Sequence, residues 1–369
     1  MNFNTIFLKS FRVLLLPFAL LYGLVVIIRN WLYDKNYLHS ARFNFPLICI
    51  GNLSVGGTGK SPMVEYLVNL LKNDFEVATL SRGYKRKTKG YALAGAGTTA
   101  LEIGDEPMQF HKKFPGISVA VGEARIEAIP QLLHDRPGTQ VILLDDAFQH
   151  RAVKAGFNIL LTQYEDIFSH DFFLPTGDLR DARSSRKRAD IIVVTKCPGF
   201  LGQVEQQSII KDIKPLQHQK VYFTTIEYGR AYHIVTEYQR DIKQDDEILL
   251  VCGIANPQPL KQYLAETAYT YYQQSYSDHH IFSIDDLDEI EKKFAEIGSN
   301  NKFILTTEKD AVRLEKFKDR LVNMPMYVLP VRHRFLFEEG AVFDKTIRGF
   351  VKNFQFLKEH EQEERQEQA

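Results

Sequence analysis

From Pro46 onward, short apolar runs alternate with longer stretches of helical periodicity. The runs 47–53, 77–81, 117–121, 141–145, 159–162 and 191–195 are rich in Val, Ile and Leu and bounded by turn or polar residues. Such near-continuous apolarity predicts strands covered on both faces, and hence a mostly parallel sheet with crossover helices. A second series, 248–252, 269–273, 303–307 and 326–330, comes after a polar stretch at 238–246 and reads as a smaller α/β domain. Ahead of both, 13–28 carries no charge and is flanked by Lys9, Arg12 and Arg29. A helix crossing a bilayer upright needs about 20 apolar residues, so this segment either spans with help from its flanks, lies in the interface, or packs on the protein's own core. Because it has no polar face to offer water, membrane attachment is the preferred reading. The expected organisation is an N-terminal membrane-associated helix over 1–35, a core over 36–237, a smaller α/β domain over 238–350 and a charged tail over 351–369. The end of that tail, from Lys358, is polar enough to be a frayed helix or a disordered segment.

Composition changes this picture little. The 369 residues exceed the usual size of one domain, and 44% hydrophobic with 25% charged residues suits a packed core. Basic and acidic residues both number 46, so no bulk charge marks a nucleic-acid binder, and any electrostatic function must be local. Cys49, Cys197 and Cys252 sit inside apolar runs with the spacing of neither a zinc site nor a disulfide framework, which points to buried thiols in a reducing compartment.

The chemistry concentrates at Gly51-Asn52-Leu53-Ser54-Val55-Gly56-Gly57-Thr58-Gly59-Lys60-Ser61-Pro62. An apolar strand precedes this glycine-rich turn and a helix-periodic stretch succeeds it, the context in which backbone N–H groups converge on phosphate at a helix N-terminus. The segment Ser54, Val55, Gly56, Gly57, Thr58, Gly59, Lys60 and Ser61 is therefore read as an ATP-phosphate cradle, with Lys60 reaching the β- and γ-phosphates and the Ser61 hydroxyl binding Mg²⁺. Ser54 occupies the place of the usual first glycine, and Gly56 and Gly57 supply flexibility inside the loop instead. The opposite side of such a metal site is a carboxylate at the end of a buried strand; Asp145 and Asp146, directly after Val-Ile-Leu-Leu, supply it, with the choice between them open. Fold class is thus a P-loop NTPase-type α/β core with a smaller C-terminal α/β domain and an N-terminal hydrophobic helix.

Three functions compete for such a core: a small-molecule or lipid kinase, a membrane-associated nucleotide switch or metal chaperone, and an ATP-dependent interaction module. Guanine is normally read by Asn or Thr, Lys, any residue and Asp after a late strand. This chain has Thr195, Lys196, Cys197 and Pro198 there, and Pro198 supplies no carboxylate.

Taken in order, the loop at 51–62, Ser81-Arg82-Gly83-Tyr84, Gly104-Asp105-Glu106-Pro107, Arg125, Asp145-Asp146-Ala147-Phe148-Gln149-His150, Leu174-Pro175-Thr176-Gly177 with Arg180, Asp278-His279-His280 and Thr307-Glu308-Lys309-Asp310 resemble the tetraacyldisaccharide 4'-kinases, the lipid A 4'-kinases of Gram-negative bacteria. Ser61 stands where that family often has Thr, and Asp181 comes after Arg180 where it has Glu. The resemblance implies phosphorylation, with ATP and Mg²⁺, of the 4' hydroxyl of an acylated glucosamine disaccharide 1-phosphate at the cytoplasmic face of the inner membrane. No recognisable nucleic-acid module and a net charge of zero argue against a nucleic-acid partner, and no obligatory protein partner is inferred. An apolar N-terminal helix would place the enzyme in the same inner-membrane lipid as its acylated substrate. Arg82, Arg125 and Arg180 fall within the shared motifs and are suited to holding phosphate or the transferring group, whereas the outer members of the clusters at 82–89 and 180–188 read as solvated or headgroup-facing residues. The resemblance further implies that Asp105 is the general base, a position that could equally be a helix N-cap. His279 of the second domain would assist it across the crevice.

Overall fold

The computed structural model describes residues 12–367; Lys9 of the apolar segment's flank and the last two residues of the tail lie outside them. Two sheets organise the chain. The first has nine strands in the spatial order Val331–Phe335, Lys220–Tyr228, Ile191–Thr195, Phe157–Gln163, Leu47–Asn52, Val141–Asp145, Val77–Ser81, Ser118–Val121 and Ala92–Leu93, parallel except at its two edges. The glycine-rich loop leaves the central strand, whose neighbours end in Asp145 and Gln163. Register pairs Ile50 with Asp145, so the loop and the acidic pair emerge side by side at the carboxyl ends of the strands. Both faces are packed: Ile48, Ile50, Met63, Leu67 and Val193 on one, Leu47, Cys49, Ile129, Leu144 and Phe148 on the other. All three cysteines are free and buried, and burial pushes the Cys49 and Cys197 thiols up to about 12, so they stay protonated and unreactive.

The second sheet has six strands in the order Gln239–Arg240, Ala231–His233, Met326–Leu329, Lys302–Thr307, Glu247–Cys252 and Thr270–Ser275. The chain enters it between Tyr228 and Ala231 and leaves between Leu329 and Val331, and the Gly229 N–H donates to the Pro330 carbonyl where the two crossings meet, at 2.9 Å. Beyond Leu329 the chain rejoins the first sheet instead of closing the second: Val331–Phe335 pairs antiparallel with Lys220–Tyr228, and the helix Gly340–Glu367 packs Phe343, Ile347 and Val351 onto the first core. The sequence pattern placed 331–350 in the smaller domain and a charged tail from 351. The edge strand hides because Arg332 and Arg334 alternate with a buried His333, which is half-buried antiparallel patterning with a polar residue in the buried position.

The apolar N-terminal helix, Leu16–Asp34, neither floats free nor packs as a core element. One narrow face docks on the loop at 172–188. Gly23 lets the helix approach the ring of Phe173, where a Cβ would come within 2.6 Å. Polar ties fix the rest. Arg12 donates to the Pro175 and Gly177 carbonyls and pairs with Asp178 at 2.8 Å, Tyr22 donates to the Arg180 carbonyl, and Asn30 donates to Asp181 at 2.7 Å. Phe18, Leu20, Leu21, Leu24, Val25, Ile27, Ile28 and Trp31 remain exposed.

A buried charge cluster joins the lobes. Lys113 lies between Glu65 of the helix Lys60–Leu71 and Glu308 of the helix Glu308–Leu314, with Glu65 at 2.6 Å. Burial and the Glu308 charge push the Glu65 carboxyl up to about 7, against the pull of Lys113 and a hydrogen bond from Gln109. An acid whose folded pKa is raised costs stability as it ionises, so this cost grows between pH 4.5, its ordinary value, and about 7, and is constant above that. Glu65→Gln removes the cost. Its stability relative to the parent should therefore rise between pH 5 and pH 8, by roughly 1–3 kcal/mol in denaturant titrations, and a difference flat across that range would contradict the assignment.

Candidate functional site

The cradle is shaped from below. Gly59 caps the helix Lys60–Leu71 in the left-handed region at φ 81°, a conformation that disfavours any Cβ. Its carbonyl accepts a hydrogen bond from His333 Nε2 at 2.9 Å, and the Thr58 carbonyl accepts one from the Thr195 hydroxyl at 3.0 Å. His333 Nδ1 in turn accepts from the Thr224 hydroxyl at 3.0 Å, which fixes the neutral tautomer; burial pushes the ring's pKa down to about 4 and keeps it neutral. With two loop carbonyls satisfied beneath and the Val55 and Thr58 N–H groups spent on the Asp178 and Gly56 carbonyls, the N–H groups at the start of the helix Lys60–Leu71 suit an anion above. The front half of the loop is held by pairing: Ser54 bridges Leu179, the Val55 N–H donates to the Asp178 carbonyl at 2.7 Å and the Arg180 N–H to the Leu53 carbonyl at 2.8 Å. That pairing explains why Ser54 serves where a glycine is usual. His333 was not legible as a site residue, since nothing local in Val-Arg-His-Arg-Phe points to the loop.

Lys60 and the acidic pair meet at the mouth of the crevice. The Lys60 ammonium lies 3.6 Å from Asp146 and 3.4 Å from the Asn52 side-chain oxygen. Arg180 forks onto Asp146, at 3.1 Å for one of its two bonds, and also reaches Asn52. Burial alone would raise the Asp146 carboxyl, but Lys60 and Arg180 outweigh it and hold Asp146 below the usual carboxylate range. Asp145 differs. It is almost wholly buried, its Oδ1 has no hydrogen-bond partner among the described residues, and burial together with the Glu106 and Asp146 charges pushes it up to about 7. A desolvated carboxylate oxygen with no donor beside a second acid is a cation seat in chemical character, so the donor set Ser61, Asp145 and Asp146 fits Mg²⁺. No group of three or more acidic, His or Cys ligands occurs among the described residues, in keeping with the habit of Mg²⁺ to take one or two carboxylates and complete its shell from phosphate and water.

The structure distributes the arginines differently from one another. Arg125 is only 1% exposed, donates to the Gly122 carbonyl, and lies under the acids as their counter-charge, its pKa pulled down by burial to about 10 and so still charged. Arg82 is exposed, and Arg86 is tied to Glu123. In the second cluster Arg183 and Arg186 donate to the Asp171 and Ile213 carbonyls, and Arg188 pairs with Asp181 at 2.7 Å. Asp181, whose role the sequence left open, is consumed by Asn30, Ser185, Arg188 and the Ala182 N–H. It anchors the N-terminal helix.

Across the crevice, Asp105 opens the helix Asp105–Lys113 and carries no capping bond there; Gly104 takes the N-cap place. His279 Nδ1 of the second lobe lies 3.1 Å from Asp105 Oδ2, so the two residues paired by sequence reasoning across 174 positions are in contact. Arg313, which sequence reasoning did not single out, donates to the same oxygen at 2.9 Å. The only local signal for it is its place three residues after Asp310 on one helix face.

A family model described as tetraacyldisaccharide-1-P 4'-kinase matches residues 11–351. The tetraacyldisaccharide 4'-kinase of Flavobacterium johnsoniae is 46% identical over 343 residues, covering 92% of this chain and 97% of that protein. The enzyme of that name from Bacteroides thetaiotaomicron is 42% identical over 352 residues, covering 92% and 93%. Among solved structures, LpxK from Aquifex aeolicus, crystallised in complex with ATP, superposes with a TM-score of 0.72 at 28% identity over 92% of this chain and 99% of that one.

The brace under the cradle makes a prediction of its own. His333→Ala leaves the Gly59 carbonyl without its buried donor, a loss of about 1–3 kcal/mol that falls on the nucleotide-binding conformation. The KM for ATP should rise roughly tenfold or more with the far-ultraviolet spectrum unchanged, and an unaltered KM would show that the loop holds its shape without the brace.

Proposed function

The chain belongs to the tetraacyldisaccharide-1-P 4'-kinase family, and from that membership we propose how its residues carry out an ATP-dependent lipid A 4'-kinase reaction. The observation that carries the reading is the crevice itself, with Lys60, Ser61 and the Asp145–Asp146 pair on the first sheet facing Asp105 and His279 between the lobes. The loop Ser54–Ser61 cradles the phosphates of ATP, with N–H groups towards its helix end, other than that of Thr58, donating to them. Lys60 exchanges its contact with Asp146 for the γ-phosphate, and Arg180, held at the same mouth by Asp146 and Asn52, is placed to neutralise charge on the transferring group. Arg125 supports the acids from beneath instead of touching phosphate.

Mg²⁺ would be held by Ser61 and by the free oxygen of Asp145, with Asp146 beside it, and when bound it neutralises charge on the β- and γ-phosphates. Asp105 accepts the proton of the acceptor's 4' hydroxyl as its oxygen attacks phosphorus, and His279 positions that carboxylate. The acceptor is a tetraacylated glucosamine disaccharide 1-phosphate, and exposed Arg82 near the crevice is suited to its existing phosphate. The exposed apolar face of the helix Leu16–Asp34 supports residence in the inner membrane with the catalytic crevice on the cytoplasmic side, where ATP is available. On this reading 36–228 and 331–351 form the nucleotide lobe, and residues 231–329 form the lobe that brings His279.

The direct test is transfer of label from γ-labelled ATP to the disaccharide lipid. Lys60→Ala should abolish transfer while the protein stays folded, and near-parental activity would overturn the cradle's role. Deleting the N-terminal helix is a poor test of attachment, because Tyr22 and Arg12 tie it to the segment that holds the loop. Polar substitution of Leu21, Leu24, Val25 and Ile28 alters the exposed face alone. That variant should leave vesicles after a salt wash, lose most activity on bilayer-presented lipid and keep activity on detergent-dispersed lipid; continued vesicle binding would place the anchor elsewhere.

A further inference from the structure

Asn52 ends the central strand, Leu47–Asn52, with no exposed surface, at the point where the glycine-rich loop begins. Its side-chain oxygen accepts from Lys60 at 3.4 Å and from Arg180 Nη2. Both partners only donate, so it is the oxygen of the amide that faces them, and the chemistry leaves no other assignment. The nitrogen, Nδ2, is buried and has no hydrogen-bond partner among the described residues. The backbone is fixed on each side: the Asn52 carbonyl accepts from Gln149 Nε2 at 2.6 Å, the next carbonyl, that of Leu53, accepts from the Arg180 N–H at 2.8 Å, and the sheet pairs Asn52 with Leu161.

An asparagine is a locally poor choice here. Two cations converge on one acceptor, where a carboxylate of the same shape would bind both more strongly and would strand no donor. A buried position that breaks a local rule without a local gain points to a functional demand. The contacts of Lys60 show what that demand is. Its ammonium has one carboxylate, Asp146 at 3.6 Å, and one neutral amide, Asn52 at 3.4 Å, both beyond the roughly 2.7–2.9 Å of a strong charge-assisted hydrogen bond. Arg180 is forked onto Asp146 and has Asn52 as a third side-chain contact. Lys60 is thus parked loosely and Arg180 firmly. A carboxylate at position 52 would turn the loose contact into an ion pair that competes with phosphate, and would set a third acid beside Asp145 and Asp146.

We propose that Asn52 is a positioning residue, a neutral acceptor that aims Lys60 and Arg180 at the incoming triphosphate without holding Lys60 against it. The inference rests on Lys60 and Arg180 meeting the phosphates of ATP. When ATP enters, Lys60 gives up two long contacts for γ-phosphate oxygens. The amide oxygen that it leaves stays occupied by Arg180, so the exchange strands no buried acceptor. Arg180 keeps its place on Asn52 and Asp146 and meets the transferring group from there.

The test is a double-mutant cycle on the full chain in detergent, read by calorimetric titration with ATP and Mg²⁺ and by label transfer to the disaccharide lipid. Asn52→Asp, which keeps the shape, should raise the Kd and KM for ATP roughly tenfold or more, with kcat at saturating ATP within about threefold of the parent. In a Lys60→Ala background the same substitution should raise the Kd by at most about threefold, because the cation it would hold back is gone. Asn52→Ala should split the other way: kcat falls roughly tenfold as Arg180 loses its second hold, with the KM for ATP within about threefold. Equal Kd penalties in the two backgrounds would mean that an added charge merely repels the triphosphate, and would overturn the inference, as would a parental Kd in folded Asn52→Asp. Loss of thermal stability in both variants without the split between KM and kcat would make the residue structural and overturn it too. If alanine prevents folding, the aspartate cycle still decides. Should Lys60→Ala itself keep parental turnover, it is the reading of the cradle that fails, and with it this one.

Discussion

Asp146 and the two cations on it, Lys60 and Arg180, are the contact on which the rest of the crevice depends. A kinase must hold a lysine for the γ-phosphate and carboxylates for a metal in one partly dry place, and like charges there would otherwise force protonation or expulsion. Pairing Asp146 keeps it ionised and parks Lys60 at the mouth of the loop. Asp145, buried beside it with one oxygen that has no hydrogen-bond partner among the described residues, is left to be satisfied by a proton or by a cation from outside. The same Arg180 uses its backbone N–H on Leu53 and its carbonyl on Tyr22 of the N-terminal helix. One residue thus connects the phosphate loop, the acidic pair and the apolar helix.

That connection gives the helix a second meaning. Its apolar face is turned outward, but its polar residues, Arg12, Tyr22 and Asn30, are spent on the loop at 172–188, and that loop in turn pairs with Ser54 and Val55. Asp181, which stands where the family has Glu, is satisfied by four partners and serves this docking. The seating of the apolar helix and the shape of the glycine-rich loop are mechanically linked, because the segment that receives the helix is the segment that closes the front of the loop.

The second lobe acts through one helix. Glu308–Leu314 grips Asp105–Lys113 at several points: Glu308 to Lys113, Lys309 to Glu106 and Arg313 to Asp105. Since Lys113 also meets Glu65 on the helix that begins with Lys60, Asp105 and the glycine-rich loop share a charged frame. A buried ionic frame of this kind is poor at adding net stability but selective about geometry, and so fixes how the two lobes meet.

The cradle, its flanking strand and helix, the acids after Val141–Asp145 and the parallel core could be read from sequence, because each is a local pattern: period, glycine spacing and a polar residue at the end of an apolar run. The pairing of Asp105 with His279 was anticipated only through family resemblance, and the geometry places them in contact. Other features had no local signature. His333 lies in a stretch that the sequence pattern placed in the smaller domain, and only the return of the chain to the first sheet puts it beneath Gly59. The burial of Arg125 and the pairing of Arg188 with Asp181 left no trace in the sequence, and neither did Arg313, which Asp310 holds between the lobes. Sequence determined which segments could build a nucleotide site, since periodicity and turn chemistry act over neighbouring residues. Which charges would do chemistry and which would hold the fold was decided by tertiary structure, because the partner that neutralises a buried charge comes from elsewhere in the chain.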